Sequence, residues 1–457
     1  MKNQPLGERL ALFSDLYELT MAASYFAEEK FEEATFSLFI RQYPPDRAYF
    51  VAAGLEEVLR YLETLQYKED DLAYLESTGL FIPGFLDYLK ELRFTGEVYA
   101  LPEGSIFFKD EPILEVTGPI IEAQLVETFV INAINFQTLI ATKASRSTHI
   151  AGARRLVDFS MRRTQGVDAG LKVARASYLA GFIGTSNVLA GKLYDIPIYG
   201  TMAHSYITSF EHELDAFRAF ARDFPKNTIL LIDTYDNIAG AKKAIQVAQE
   251  MEARGEKLRG VRLDSGDMAA ISIDVRRLFD EAGLDYIQIF ASGGFDEFKI
   301  AKVLEAGGQI DAFGVGTKMG VSADAPYFDI AYKLVKYGTR PVMKLSTGKV
   351  TLVDKKQVFR RFDDQGQMRE DTIALRDEPI ADSTPLLTKV MEKGQIIRPV
   401  PGLKDSRDFF LREFARLPER FKALRQPPPY PVHISAALQE LEDRVEHRIQ
   451  VTELDQV

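Results

Sequence analysis

The chain has 457 residues, 67 acidic and 56 basic side chains for a formal net charge of −11, and no cysteine. The missing cysteines exclude disulfides, thiolate metal sites and a thiol nucleophile. The acidic balance argues against a surface that coats nucleic acid, so any anionic ligand needs a local basic site. The length exceeds what one core supports and predicts at least two domains.

Along the chain, residues 1–30 read as helical, with "DLYELTMAASYF" carrying apolar side chains at helical spacing. "ATFSLFIRQ" alternates as a strand, helical patterns run to about residue 93, and short strands separated by Gly and Pro turns fill 96–119. From about 122 to 150 the pattern is helical again. Its most apolar stretch is interrupted by Asn132, Asn135 and Gln137, too polar to span ~30 Å of hydrocarbon. With no secretory leader in view, a cytoplasmic protein with no membrane partner is expected.

From about 151 short apolar runs alternate with helical segments: "RLVDFS", "GFIGTS", "IPIYGT", "TILLIDT", "GVRLDS", "YIQIFAS" and "IDAFGVG". Such alternation predicts an α/β fold whose parallel sheet is buried on both faces. Nearly every run ends in a polar or Gly-rich cluster, which favours a β/α barrel over an open sheet, since a barrel builds its site from all its strand ends. Beyond 325 come strand-like alternation ("KVTLVDKKQVFRRF"), Pro-rich loops and a charged helix. The expected domains are an α+β region at 1–150, joined by strands from about 340–400, a β/α barrel at 151–340, and return strands with a helical extension at 341–457.

The strand-end clusters carry the chemistry. "ASGGF" and "FGVGTKM" each follow an apolar strand and precede a helical segment, and the glycines would let backbone N–H groups approach a phosphate. "VRLDSGD" gathers Arg262, Asp264 and Asp267; the carboxylates could hold Mg²⁺ or sugar hydroxyls, or Asp264 or Ser265 could merely cap the next helix. Asp233 could orient a histidine, with Asp236 as a cap. Lys143, Arg146, Arg154, Arg155, Arg162 and Arg163 form a basic stretch that reads as a solvated helix face or an anion site. His204, one of five histidines, has no neighbour at zinc-ligand spacing; at a strand end it could be a phosphoryl acceptor. From chemistry alone a barrel enzyme acting on a phosphorylated sugar is expected, with Mg²⁺ as its cofactor.

"DLYELTM", "FSMRRTQGVDAG", "GTSNVLAG", "GTMAHS", "VRLDSGD", "GVGTKM" and "KLSTGKVTLVDKKQVFR" occur in the order found in nicotinate phosphoribosyltransferases, which the chain resembles from residue 15 to about 361. The resemblance implies an irregular, incompletely closed β/α barrel beside a mixed α+β domain. It implies synthesis of nicotinate mononucleotide and diphosphate from nicotinate and phosphoribosyl diphosphate. ATP hydrolysis would be coupled to this through a phosphohistidine, with Mg²⁺ as cofactor and a homodimer as the assembly.

By that likeness His204 is the phosphorylated residue, Asp233 contacts it, and Asp264 lies near the ribose hydroxyls. Tyr17 would stack on the pyridine ring, and Thr201 and Arg262 would lie near nicotinate. Arg163 and Arg146 would lie near the diphosphate, and Gly293, Gly294, Gly316 and Thr317 would form the 5-phosphate loops. Ser186 stands where nicotinamide phosphoribosyltransferases carry Asp; a carboxylate there would repel nicotinate, so Ser186 favours the acid. Val353 and Asp354 replace the family's usual Pro-Gly, a departure expected to touch only a surface turn. The competing readings are a nicotinamide phosphoribosyltransferase and a phosphosugar-binding barrel without turnover.

Overall fold

The structure is a computed structural model and describes residues 10–345 and 351–454; residues 346–350, part of the "KLSTGKV" motif, lie outside the described residues, as do residues 1–9 of the expected first helix. The chain forms two compact units. One gathers the residues up to Thr142 with those from Tyr327 onward, and the other is Lys143–Pro326.

The unit Lys143–Pro326 holds six strands: β1 Arg155–Asp158, β2 Gly184–Thr185, β3 Ile229–Leu231, β4 Gly260–Leu263, β5 Gln288–Phe295 and β6 Ala312–Val315. Their spatial order is β2-β1-β6-β5-β4-β3, and every pairing is parallel. The first strand therefore pairs with the last, and the chain steps around the sheet in one direction. A lone parallel bridge from Thr185 to Ile198 extends the β2 edge. The strand expected at "IPIYGT" shrinks to this bridge; Pro197 has no N–H to give a ladder. Among the described residues no pairing joins that edge to β3, so what is formed is a six-stranded parallel α/β sheet with β2 and β3 at its edges.

Burial explains the apolar runs. Leu230, Leu231, Val261, Leu263, Ile289, Phe313 and Val315 are wholly buried, as expected of strands covered on both faces. The turn from each of β3, β4 and β5 into the following helix is fixed by an Asp cap. Asp236 accepts from Ala239 N at 2.8 Å, Asp267 from Ala269 N and Ala270 N at 3.2 Å, and Asp296 from Lys299 N at 2.8 Å. Asp267 is thereby a cap for helix Met268–Glu281, not a second site carboxylate; neither Asp264 nor Ser265 does that work.

In the other unit a seven-stranded sheet mixes early and late chain. Glu33–Ile40 pairs antiparallel with both Ile330–Tyr337 and Leu114–Pro119, and Glu97–Ala100 pairs with Thr388–Glu392. The region from 341, expected to return strands to the first domain, supplies strands to the first sheet and also forms a four-stranded sheet of its own. Buried ions connect the two: Glu115 receives Lys356 Nζ at 3.0 Å and also Arg376. Val353 is wholly buried against Ile373, Leu438 and Val445, so the departure from Pro-Gly lies in a core, not a surface turn. Asp354 adopts φ 60°, the left-handed conformation a glycine takes readily, and its carboxylate pairs with Lys336 at 2.8 Å.

Candidate active site

The polar cluster lies at the carboxyl ends of β3, β4 and β5. Asp233 and Thr234 follow β3, Asp264 and Ser265 follow β4, and Ser292 sits within the end of β5. Parallel pairing in register brings these ends side by side, with Leu231 opposite Arg262 and Phe290 opposite Arg262 on the other edge.

His204 begins a short helix, His204–Thr208, and is half-exposed. Its Nδ1 is 3.2 Å from Thr234 Oγ1; its Nε2 is 3.9 Å from Asp233 Oδ1 and 3.9 Å from Asp264 Oδ2. Asp233 is inaccessible at its side chain. Its Oδ2 accepts from Asp264 N at 3.1 Å and Ser265 Oγ at 2.7 Å, while Oδ1 is buried with no hydrogen-bond partner among the described residues. That unpartnered oxygen faces the imidazole. A buried acceptor left unmet is costly, so it marks a place where a proton or a cation belongs.

Asp264 is held differently. Burial pushes its carboxyl upward, but hydrogen bonds from Ser292 and Arg262 and the Arg262 charge outweigh this and hold it below the usual carboxylate range. Arg262 donates from Nε to Ser292 Oγ at 2.8 Å and from one terminal nitrogen to Thr201 Oγ1 at 2.9 Å and Met202 O at 3.1 Å. The other terminal nitrogen donates to Asp264 Oδ1 at 3.0 Å. Most of the guanidinium's donors are thus spent on framing the site. Thr201 belongs to that frame.

The glycine loops lie beside this cluster. Gly293 has φ 100°, and a side-chain carbon there would fall 2.1 Å from Asp264 O; Gly294 has φ 68° and open space where a side chain would be. Gly316 precedes the short helix Thr317–Gly320, and Arg163 donates to Thr317 Oγ1 at 3.4 Å. Lys318 pairs with Asp296 at 2.9 Å, and Lys299 Nζ donates to Gly293 O at 2.5 Å. Burial and the Lys318 charge lower the Lys299 ammonium. These two lysines and Arg163 are the cations beside the glycine loops.

Arg146 is 1% exposed, and its Nε donates to Glu297 at 2.9 Å beside Lys143, itself bonded to Glu297 at 2.7 Å. Lys143 and Arg146 thus lie on no solvated face, and the Arg146 charge is committed to Glu297, against the diphosphate role expected for it, while Arg154, Arg155, Arg162 and Arg163 of the same stretch are exposed. Ser186 is half-buried just past β2, with its N–H on Asp158 O. Tyr17 belongs to the other unit, on helix Leu16–Ala27, and is 48% exposed.

Thr234 and Asp158 escaped the sequence reading, and Ser292 entered it only as part of a strand-end cluster. Thr234 fixes the imidazole, and Ser292 bridges Arg262 and Asp264. Asp158, fully buried, accepts from Ser160 N at 2.9 Å and Thr185 Oγ1 at 2.7 Å, tying together the ends of β1 and β2. Burial pushes its carboxyl upward against those bonds. Hydroxyls are too common in sequence to single out; position at a strand end was the signal available for Ser292 and Thr234.

A parallel α/β unit with phosphate-suited glycine loops and a carboxylate-flanked histidine is the framework of an enzyme that handles phosphorylated sugars. The nicotinate phosphoribosyltransferase N-terminal domain matches residues 12–135, the nicotinate phosphoribosyltransferase family residues 154–370, and that family's C-terminal domain residues 381–442. The chain belongs to the nicotinate phosphoribosyltransferase family and is a phosphoribosyltransferase that forms a glycosidic bond.

Among its relatives, nicotinate phosphoribosyltransferase pncB2 of Mycobacterium tuberculosis H37Rv is 46% identical, covering 93% of this chain and 91% of its own. The Bacillus subtilis enzyme is 35% identical over 94% and 93% of the two chains. The human nicotinic acid phosphoribosyltransferase structure superposes with a TM-score of 0.85 at 31% identity, covering 94% of this chain and 99% of that one. A Pyrococcus furiosus structure described as a nicotinate-nucleotide pyrophosphorylase gives a TM-score of 0.74 at 25% identity, covering 91% and 99%.

Proposed function

We propose that this enzyme condenses nicotinate with phosphoribosyl diphosphate, releasing diphosphate, and couples the reaction to ATP hydrolysis through phosphorylation of His204. The observation that carries the coupling is the placement of the imidazole, one nitrogen on Thr234 and the other facing the carboxylates of Asp233 and Asp264. With Nδ1–H donating to Thr234, the lone pair resides on Nε2, the nitrogen able to attack phosphorus. Attack forms the N–P bond as the bond from the γ-phosphorus to the bridging oxygen breaks, and ADP leaves with that electron pair.

Nε2 facing two carboxylates is a poor place for a bare phosphate. Asp233, whose Oδ1 is unmet, and Asp264 are the residues that would hold Mg²⁺. Bound there, Mg²⁺ neutralises phosphate charge. The loops at Gly293–Gly294 and Gly316–Thr317 would take the 5-phosphate, with Arg163 beside Thr317. The frame of Arg262, Thr201 and Ser292 would hold Asp264 toward the ribose.

Nicotinate selectivity is assigned to Ser186 at the end of β2, a hydroxyl at a position where a carboxylate side chain would repel that of the substrate; Tyr17 would stack on the ring from a second subunit of a homodimer. We take the parallel sheet as an incompletely closed barrel and the enzyme as cytoplasmic. The test is turnover with nicotinate, nicotinamide and quinolinate side by side. Nicotinate should be favoured over nicotinamide at least tenfold in kcat/KM, about 1.4 kcal/mol. Equal values for the two would refute the acid specificity, and no turnover of any would refute the enzymatic reading.

A further inference from the structure

In the unit that holds both antiparallel sheets, a cavity of about 440 Å³ lies among strands Glu33–Ile40, Met368–Leu375 and Val432–Ile434 and helix Ala436–Ile449. It has no part in the strand-end site. Its walls include Phe39, Tyr43, Ile373, Tyr430 and Ile434, and its polar lining includes Glu442. The volume lies in the range of pockets that take small organic ligands, ~300–1,000 Å³.

The walls are preformed. Tyr43 stacks on Phe50 with ring centroids 5.2 Å apart, and Tyr430 stacks on Phe108 at 3.6 Å while its hydroxyl donates to Asp371 at 3.2 Å. Rings fixed in this way cost a ligand little ordering entropy on binding.

Glu442 is the group left wanting. It is 7% exposed, and its Oε1 is buried with no hydrogen-bond partner among the described residues. Burial is the main reason its carboxyl is pushed up to about 7; the Lys356 charge opposes this, and Asp443 and Glu446 add to it. Lys356, the cation nearby, is already committed: its Nζ donates to Asp354 O at 2.6 Å and Leu352 O at 3.2 Å and pairs with Glu115. At the lining's exposed part Lys109 and Asp110 pair with each other at 3.4 Å. The unmet demand inside an aromatic-walled cavity is therefore for a hydrogen-bond donor, best a positive one.

We propose that this cavity is a second ligand site, for a small aromatic amine or amidine whose charged nitrogen donates to Glu442 while its ring lies among Tyr43, Tyr430 and Phe39. Ionised Glu442 repels a carboxylate ligand of the same shape.

Benzamidine and benzoate, equal in ring and opposite in charge, test this by calorimetric titration of the full chain. Benzamidine should bind at submillimolar Kd and benzoate should not bind. Glu442→Gln keeps the shape and removes the charge, and should weaken benzamidine at least tenfold. Ile434→Trp, at a partly exposed wall position, should weaken it by occupying space. Both variants should keep the parent's circular dichroism and its turnover, since neither touches the strand-end site. Unchanged benzamidine affinity in both variants would place the binding elsewhere and overturn the proposal. So would no binding of benzamidine to the parent up to 10 mM, about −2.7 kcal/mol on the affinity scale.

Discussion

At the scale of single residues, the site is governed by which oxygens are satisfied. Asp264 has every reason to stay ionised: Ser292 and Arg262 both donate to it. Its carboxyl is held below the usual range, so the stability and charge it contributes are present above the ordinary carboxylate value and are lost as pH falls through the lowered one. Ser292→Ala removes one donor and should let that carboxyl rise. The acid limb of the kcat/KM profile is then expected to move to higher pH; an unmoved limb would mean that Asp264 does not govern it. Thr234→Val tests the imidazole's anchor: with Nδ1 unheld, the ring can rotate or change tautomer, and ATP-stimulated turnover should fall ~10-fold or more with the basal rate less affected. Equal loss of both rates would make Thr234 a plain packing residue.

Much of this cluster was legible because a strand's carboxyl end is a position that sequence reveals: apolar run, then polar break. His204, Asp233 and Asp264 were found in that way. Arg146 was not, since on the 25-residue helix Glu127–Ala151 nothing in the sequence says which face turns toward Glu297. Asp267 illustrates a different failure: Asp at a strand–helix turn reads equally as cap or ligand, and only the bonds to Ala269 and Ala270 decide.

At the scale of elements, two glycines control how strands meet helices and neighbouring turns. Gly240 lies in helix Asn237–Glu252, where Ala would ordinarily gain ~1 kcal/mol of helix propensity. A side-chain carbon there would sit 2.1 Å from Ile232 O, a backbone atom that cannot step aside cheaply. Overpacking of ~1–3 kcal/mol outweighs the gain, so Gly240→Ala should lower Tm, and, because Ile232 precedes Asp233, lower kcat as well. Gly293→Ala meets both a positive φ and Asp264 O at 2.1 Å. It should cost ~1–3 kcal/mol of stability and weaken phosphoribosyl diphosphate binding more than nicotinate binding. Urea unfolding and substrate titrations check both variants; a Gly293→Ala protein with parental stability and affinity would contradict the tight turn drawn here. The alternation of short apolar strands with helices was readable from residue 155 on. The shortness of the β2 edge was not, because a two-residue strand and a lone bridge around Pro197 look the same in sequence as full strands.

At the scale of the whole molecule, the family and its sugar-phosphate chemistry follow from fold, site and relatives together, while the coupling to ATP rests on one imidazole. The most direct measurement is phosphoryl transfer to the protein itself. The parent enzyme and His204→Ala are incubated with γ-labelled ATP and Mg²⁺, quenched in alkali, and assayed for bound label and for nicotinate mononucleotide. The parent is expected to carry an acid-labile, base-stable label and to form product faster with ATP. His204→Ala should carry none and keep a slow synthesis that ATP no longer accelerates, and Asp233→Asn should fall between them, its nucleophile present but poorly held. Label persisting in His204→Ala, or full stimulation of that variant by ATP, would contradict His204 as the phosphoryl acceptor.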